Sequence, residues 1–198
     1  MTKKPAKAAK PEKPILHLKS QAAFRKWLEK NHGDEVGVWL KLAKKNGKVP
    51  APNYDEALEE ALCFGWIDGQ VKRFDDDVYL QSFTPRRKRS PWSARNVKLV
   101  AGLIESGQME VPGFEAIQQA KDDGRWDKAY DGAASYEQHP DFLEALEADA
   151  EAKAAYGQLS SVNRFAIYFQ IHAAKRADTR QRRIEKFVAM LARGETPH

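Results

Sequence analysis

The chain has 198 residues, 42% of them hydrophobic, with five Trp, nine Phe and six Tyr, which is enough apolar material for a core of ordinary size. It holds no run of about eighteen uncharged apolar residues, so no membrane span is expected. A lone cysteine, Cys63, excludes an internal disulfide and any cysteine-rich zinc site, and its place among Leu62 and Phe64 predicts a buried, inert thiol.

The net charge of +5 is a local property. Six of the 33 basic residues and one of the 28 acidic ones fall in the first 19 positions, so the remaining 179 carry 27 of each. The excess sits mainly in residues 1–14, MTKKPAKAAKPEKP, a Lys/Ala/Pro arm expected to be disordered and able to add weak, salt-sensitive affinity for nucleic acid. This stretch lacks the apolar centre of an export signal, which predicts a cytoplasmic location.

Order is expected from Ile15. Ser20 caps a helix in which Ala23, Phe24, Trp27 and Leu28 recur at helical spacing, and Gly33 stops it. In 36–44, Val36, Val38, Leu40 and Leu42 alternate with Gly37, Trp39 and Lys41, the pattern of a half-buried strand. Asn46-Gly47 marks a turn. Asn53 and Glu56 form a capping box ahead of a helix with Ala57, Leu58, Ala61 and Leu62 inside, ended by Gly65. A hairpin follows: one strand from Trp66, a turn at Asp75-Asp76-Asp77, and a second strand from Val78 that leaves at Pro85 beside the point of entry.

From Ser90 the chain reads helical. Ser90-Pro91 fits a cap and first helical position; Val97, Val100, Ala101 and Ile104 make one stripe and Phe114, Ile117 and Ala120 another. Arg125 and Trp126 read as a packed connector with a solvated arginine. A boundary is placed at 132–140. Beyond it lie an acidic helix with Phe142, Leu143 and Leu146, an apolar helix over 162–174, and a last helix opened by Asp178 with Ile184, Phe187, Val188 and Leu191 inward. The expected fold is α+β: a small antiparallel or mixed three-stranded sheet with flanking helices over 15–131, then a helical C-terminal region over 132–198.

The stretch that concentrates chemistry is 61–96. Arg86, Arg87, Lys88 and Arg89 precede Ser90-Pro91-Trp92-Ser93, and the amides of a helix starting there would point at the cations, an arrangement suited to a phosphate, carboxylate or sulfate. Trp66 and Asp68 begin the hairpin on one face. Asp68 reads either as a salt-bridge partner of an arginine or as a catalytic carboxylate, and Trp66 and Trp92 as core or as ligand platforms. The anion-site set is therefore Trp66, Asp68, Arg86, Arg87, Arg89, Ser90, Trp92, Ser93 and Asn96. The five histidines are scattered and no dinucleotide or P-loop glycine pattern occurs, so neither a metal nor a cofactor is expected.

ALCFGWIDGQ, YLQSFTPRRKRSPWSARN, GRWDKAY and AKRADTRQRRIEKFVAMLARGE, in this order, resemble the YdeI/OmpD-associated, or bacteriocin-protection, family. The resemblance implies an association with resistance to bacteriocins or antimicrobial peptides and with an outer-membrane porin; it carries no catalytic residues over. Three functions follow as expectations. The first is a non-enzymatic stress-protection protein binding an anionic small molecule or an acidic group of a partner. The second is an enzyme using Asp68 as general acid or base. The third is a nucleic-acid accessory protein using the arm and the C-terminal basic helix with Arg176, Arg180, Arg182 and Arg183.

Overall fold

The computed structural model describes residues 11–132 and 135–197. The disordered-arm expectation for positions 1–10, and His198, lie outside the described residues. Two compact units are present: Met1–Ser90 with Asn96–Asp127, and Pro91–Arg95 with Lys128–His198.

The first unit is built on a mixed sheet of four strands: β1 (Ile15–Leu16), β2 (Val38–Ala43), β3 (Trp66–Arg73) and β4 (Val78–Pro85), in the order β1-β2-β4-β3. The sequence predicts three. The extra strand, β1, is two residues long and therefore has no periodicity; it is held by parallel pairing to β2, Ile15 opposite Trp39 and Leu16 opposite Leu40. The expected hairpin forms, with Trp66 paired to Pro85 and Asp68 to Phe83.

One face of this sheet is covered by α1 (Gln21–Asn31) and α2 (Tyr54–Cys63). The caps are local and follow the sequence: the Ser20 hydroxyl accepts from the Ala23 amide, while Asn53 and Glu56 exchange side-chain and backbone hydrogen bonds. Val38, Leu40, Leu42, Phe83 and Trp66 point to this face and are fully buried with Phe24, Leu28 and Leu58. Each contributes about 1.5–3 kcal/mol of burial. The chain turns from α2 into β3 at Gly65, whose φ of +70 only glycine takes without strain.

Between Asp68 and Val71 the β3–β4 register shifts, a bulge that takes the Gly69 carbonyl out of the ladder. Gln81, 2% exposed, donates its side-chain amide to that oxygen at 2.9 Å, so its buried amide nitrogen is satisfied.

The next helices are α3 (Ala94–Glu105) and α4 (Val111–Asp122). Helix α3 starts at Ala94 and not at Pro91, a correction to the Ser90 cap. In the second unit the Trp92 carbonyl accepts from the Tyr130 amide at 3.0 Å and the Ala94 amide donates to the Tyr130 carbonyl at 2.8 Å, which keeps 91–93 extended. The buried face of α3 is Asn96, Val100 and Leu103, leaving Ile104 42% exposed; on α4 it is Gly113, Ile117 and Ala120, leaving Phe114 46% exposed.

The second unit holds α5 (Pro140–Glu147), α6 (Ala150–Gln158), α7 (Ser161–His172) and α8 (Ala177–Ala192). The acidic stretch expected as one helix is two, since Asp149 caps α6 through the Ala152 amide. Its core gathers Phe142, Leu146, Ile167, Ile171, Ile184, Phe187 and Leu191.

Candidate functional site

Trp66 is fully buried: its indole N–H donates to the His32 carbonyl at 2.8 Å and its ring meets Trp27 edge-on at 5.7 Å. Asp68 accepts from the Tyr54 hydroxyl at 3.0 Å, and no ion pair to an arginine is formed by it among the described residues. Tyr54 stands at the start of α2, and Asp68 shares the helix-covered face of the sheet with Trp66.

Arg86 donates its amide to the Gly65 carbonyl at 3.0 Å as the chain leaves β4. Arg87, Lys88 and Arg89 are exposed on a tight turn closed by the Ser90 amide on the Arg87 carbonyl (2.9 Å) and the Arg87 amide on the Ser90 hydroxyl (3.0 Å). Ser90 thus caps this turn, not a helix. Asn96 is 7% exposed on α3, while Trp92 and Ser93 belong to the second unit. Arg125 is not solvated as expected: its side chain is 12% exposed, pairs with Asp123 at 2.7 Å and donates to the Ser90 carbonyl at 2.7 Å.

The basic helix start in the second unit is internally engaged. Arg176 pairs with Asp178 at 3.0 Å, Arg180 lies 3.9 Å from Asp141, Arg182 reaches the Asp178 carbonyl, and Arg183 donates to the Gln170 carbonyl.

A cationic surface that sequence spacing does not disclose lies on the other face of the sheet, away from α1 and α2. Register places Lys41 and Lys72 on either side of Leu80 in one row across the sheet, with backbones about 10 Å apart. The Lys72 ammonium sits 4.3 Å from the centre of the Trp39 ring, Lys13 lies 5.6 Å from the same ring and hydrogen-bonds Ser82, and Lys41 sits 4.1 Å over Phe74. Each ammonium is held by a ring quadrupole. No Asp or Glu projects on this face of the four strands. In the hairpin turn Asp75 accepts from the Val78 and Asp77 amides; these bonds, with the charges of Lys41 and Lys44, hold its carboxyl below the usual range.

A third cluster joins α1 to α2. Glu60, 4% exposed, accepts from Gln21 at 3.0 Å and from Arg25 at 2.9 Å, and Arg25 also meets the Gln108 carbonyl and Glu110. A cleft of about 540 Å³ beside it is lined by Lys19, Gln21, Arg25, Glu56, Glu60 and Gln108. Burial, then the Glu60 charge, pushes the neighbouring Cys63 thiol up to about 11. The thiol therefore stays protonated, and we expect native Cys63 to resist iodoacetamide at pH 8 while unfolded chains react. Because the unfolded thiol ionises near 9.0 and the folded one near 11, its contribution to stability is complete below pH 9 and falls between those values. A native chain alkylated as fast as the unfolded one would contradict this burial.

Among the described residues no three His, Cys, Asp or Glu side chains are grouped to hold a metal ion, and no helix is long and apolar enough to cross a membrane.

Comparison with known families places the ends of the chain separately. Residues 16–116 match a domain of unknown function, DUF8412, and residues 135–194 match the model described as bacteriocin-protection, YdeI or OmpD-associated. The chain belongs to the DUF8412 family, whose model covers half of it, and carries a region similar to the YdeI/OmpD-associated proteins behind that match. The YdeI/OmpD-associated match falls within the helical unit and takes in the AKRADTRQRRIEKF motif; the Trp66, Asp68 and Arg86 motifs, strands β2 to β4, Lys41 and Lys72 fall in the DUF8412 match, and Lys13 and Ile15 stand just ahead of it. No curated protein and no solved structure matches the chain.

Proposed function

We propose that this protein is a non-enzymatic binding module for anionic groups, serving the protective role against bacteriocins that the name of the YdeI/OmpD-associated family records. The observation that carries the reading is the sheet face on which Lys13, Lys41 and Lys72 stand over Trp39 and Phe74; the strands bear no carboxylate there, and Asp75 of the hairpin turn is near Lys41 alone of the three. Ammonium groups held on rings are pre-positioned, so an arriving anion orders little that is not already ordered. The Arg86–Ser90 turn, with Arg87 and Arg89 exposed, adds a second cationic place in the same unit. An enzymatic role is less well supported, since Asp68 is engaged by Tyr54 beside the buried Trp66.

The test is thermal unfolding with pyrophosphate. At ten times the dissociation constant the ligand adds about 1.4 kcal/mol and raises the midpoint by roughly 3–5 °C. That shift should vanish in the Lys41→Ala/Lys72→Ala variant and persist in Arg87→Ala/Arg89→Ala. The opposite pattern would move the site to the turn, and no shift in any form of the protein would remove the reading.

A further inference from the structure

The proposed anion surface has a composition that says more than charge. Along the strands, the outward groups alternate between ring and cation, Trp39 then Lys41 on β2 and Lys72 then Phe74 at the end of β3, with Lys13 and Lys72 on Trp39 and Lys41 on Phe74. We propose that this face binds single-stranded nucleic acid, with backbone phosphates on Lys13, Lys41 and Lys72 and bases stacked on the rings that those lysines now cover. The inference rests on the anion-binding reading above and names its ligand class.

The choice among polyanions follows from the rings. An acidic peptide would use the three ammonium groups and leave the aromatic faces without a role. An anionic lipid surface calls for a contiguous patch of protruding apolar side chains, yet Ile15 (52% exposed) and Phe74 (44%) stand at opposite edges of the sheet, and Trp39 (9%) and Leu80 (5%) lie beneath the lysines. A single strand brings phosphates and flat π-faces together, at spacings adjustable by rotation about its backbone. Each lysine can swing from ring to phosphate on its flexible stem, and the ring it uncovers then accepts a base, so one interaction is exchanged for two. Leu80 stands between Lys41 and Lys72 as an apolar floor, and Ser82, in the neighbouring row beside Trp39, anchors Lys13 through its hydroxyl. Recognition of this kind reads no particular sequence, because every base has a stacking face.

The experiment is fluorescence anisotropy of the full chain with labelled 12-mers of dT and of U. For three neutralised phosphates affinity should drop about 20-fold between 50 and 200 mM salt. Lys41→Ala/Lys72→Ala should weaken binding at least tenfold, and Phe74→Ala, at an exposed position, by about fivefold. Trp39→Phe, which keeps a ring and avoids unfolding, should retain most of the affinity. Labelled polyglutamate of equal charge and phosphatidylserine vesicles should bind more weakly than either 12-mer.

Loss of oligonucleotide binding with the pyrophosphate shift intact would overturn this inference and leave the anion module standing. Failure of both would sink the two together. Equal affinity for polyglutamate or vesicles, with no effect of Phe74→Ala, would make the occupant an acidic peptide or a membrane. Binding that survives Lys41→Ala/Lys72→Ala but disappears when residues 1–10 are removed would move it off the sheet altogether.

Discussion

Replacing Gly113 by alanine should destabilise this protein, and the same replacement at Gly102 should stabilise it. Both glycines are helical, Gly102 in α3 and Gly113 in the first turn of α4, and alanine is favoured over glycine within a helix by about 1 kcal/mol. The difference lies in what a methyl group would meet. At Gly102 nothing stands within 4 Å, so the propensity gain appears nearly whole. At Gly113 a Cβ would overlap the Cys63 carbonyl oxygen and the Met109 sulfur and come to 2.9 Å from the Cys63 carbonyl carbon. Methionine can rotate away, whereas the end of α2 cannot, so α4 must retreat from it. Overpacking of this kind costs roughly 1–3 kcal/mol, and the smaller gain in a first turn does not offset it. We expect Gly113→Ala to lower the midpoint of thermal unfolding by about 4–8 °C and Gly102→Ala to raise it by about 1–3 °C. A Gly113→Ala protein as stable as wild type would mean that the two helices do not approach as closely as described.

Arg25→Ala should cost about 3 kcal/mol, well above the loss of a surface ion pair. Glu60 is 4% exposed, and both of its oxygens are committed, to Gln21 and to Arg25. Deleting the guanidinium leaves a buried carboxylate with an amide as its main partner. Arg25 itself is a quarter exposed, which places the cost at the lower end of the range for such pairs. Removing the charge from the other side, Glu60→Gln, should cost less, about 1 kcal/mol, because the remaining guanidinium keeps Glu110 and the Gln108 carbonyl. Urea unfolding of the two variants and their combination checks the order. If Arg25→Ala falls within about 0.5 kcal/mol of wild type, water reaches Glu60 and the pair is not a buried one.

What the amino-acid order discloses here is what short-range chemistry decides. The Asn53–Glu56 box and the Ser20 cap involve residues three apart, so their partners are written beside them. The hairpin through Asp75–Asp77 is likewise local. Strand β1 is invisible because two residues have no period and their partner, Trp39, is remote in sequence. Ser90-Pro91 has the right residue types for a helix start, yet Tyr130 takes the backbone groups of Trp92 and Ala94 and delays the helix to Ala94. The surroundings of Asp68 and Trp66 are likewise set by distant partners, a hydroxyl on Tyr54 for the one and the core for the other. Lys13, Lys41 and Lys72 look like unrelated surface lysines until the strand register puts them on one face. Cationic residues dispersed over separate strands leave no run to notice, whereas Arg86–Arg89 leaves an obvious one.

The helical unit is discontinuous in the chain, since Pro91–Arg95 belongs to it while residues 96–127 do not. Tyr130 is clasped from both sides by that short strip. Gene shuffling that transplanted only the contiguous tail, cutting where the 135–194 match begins, would leave the strip behind. A recombinant fragment cut at 128 would retain Tyr130 with its clasp missing. Inheritance of the tail as a working piece therefore favours carrying along the preceding half, or a substitute for five residues encoded well upstream of it.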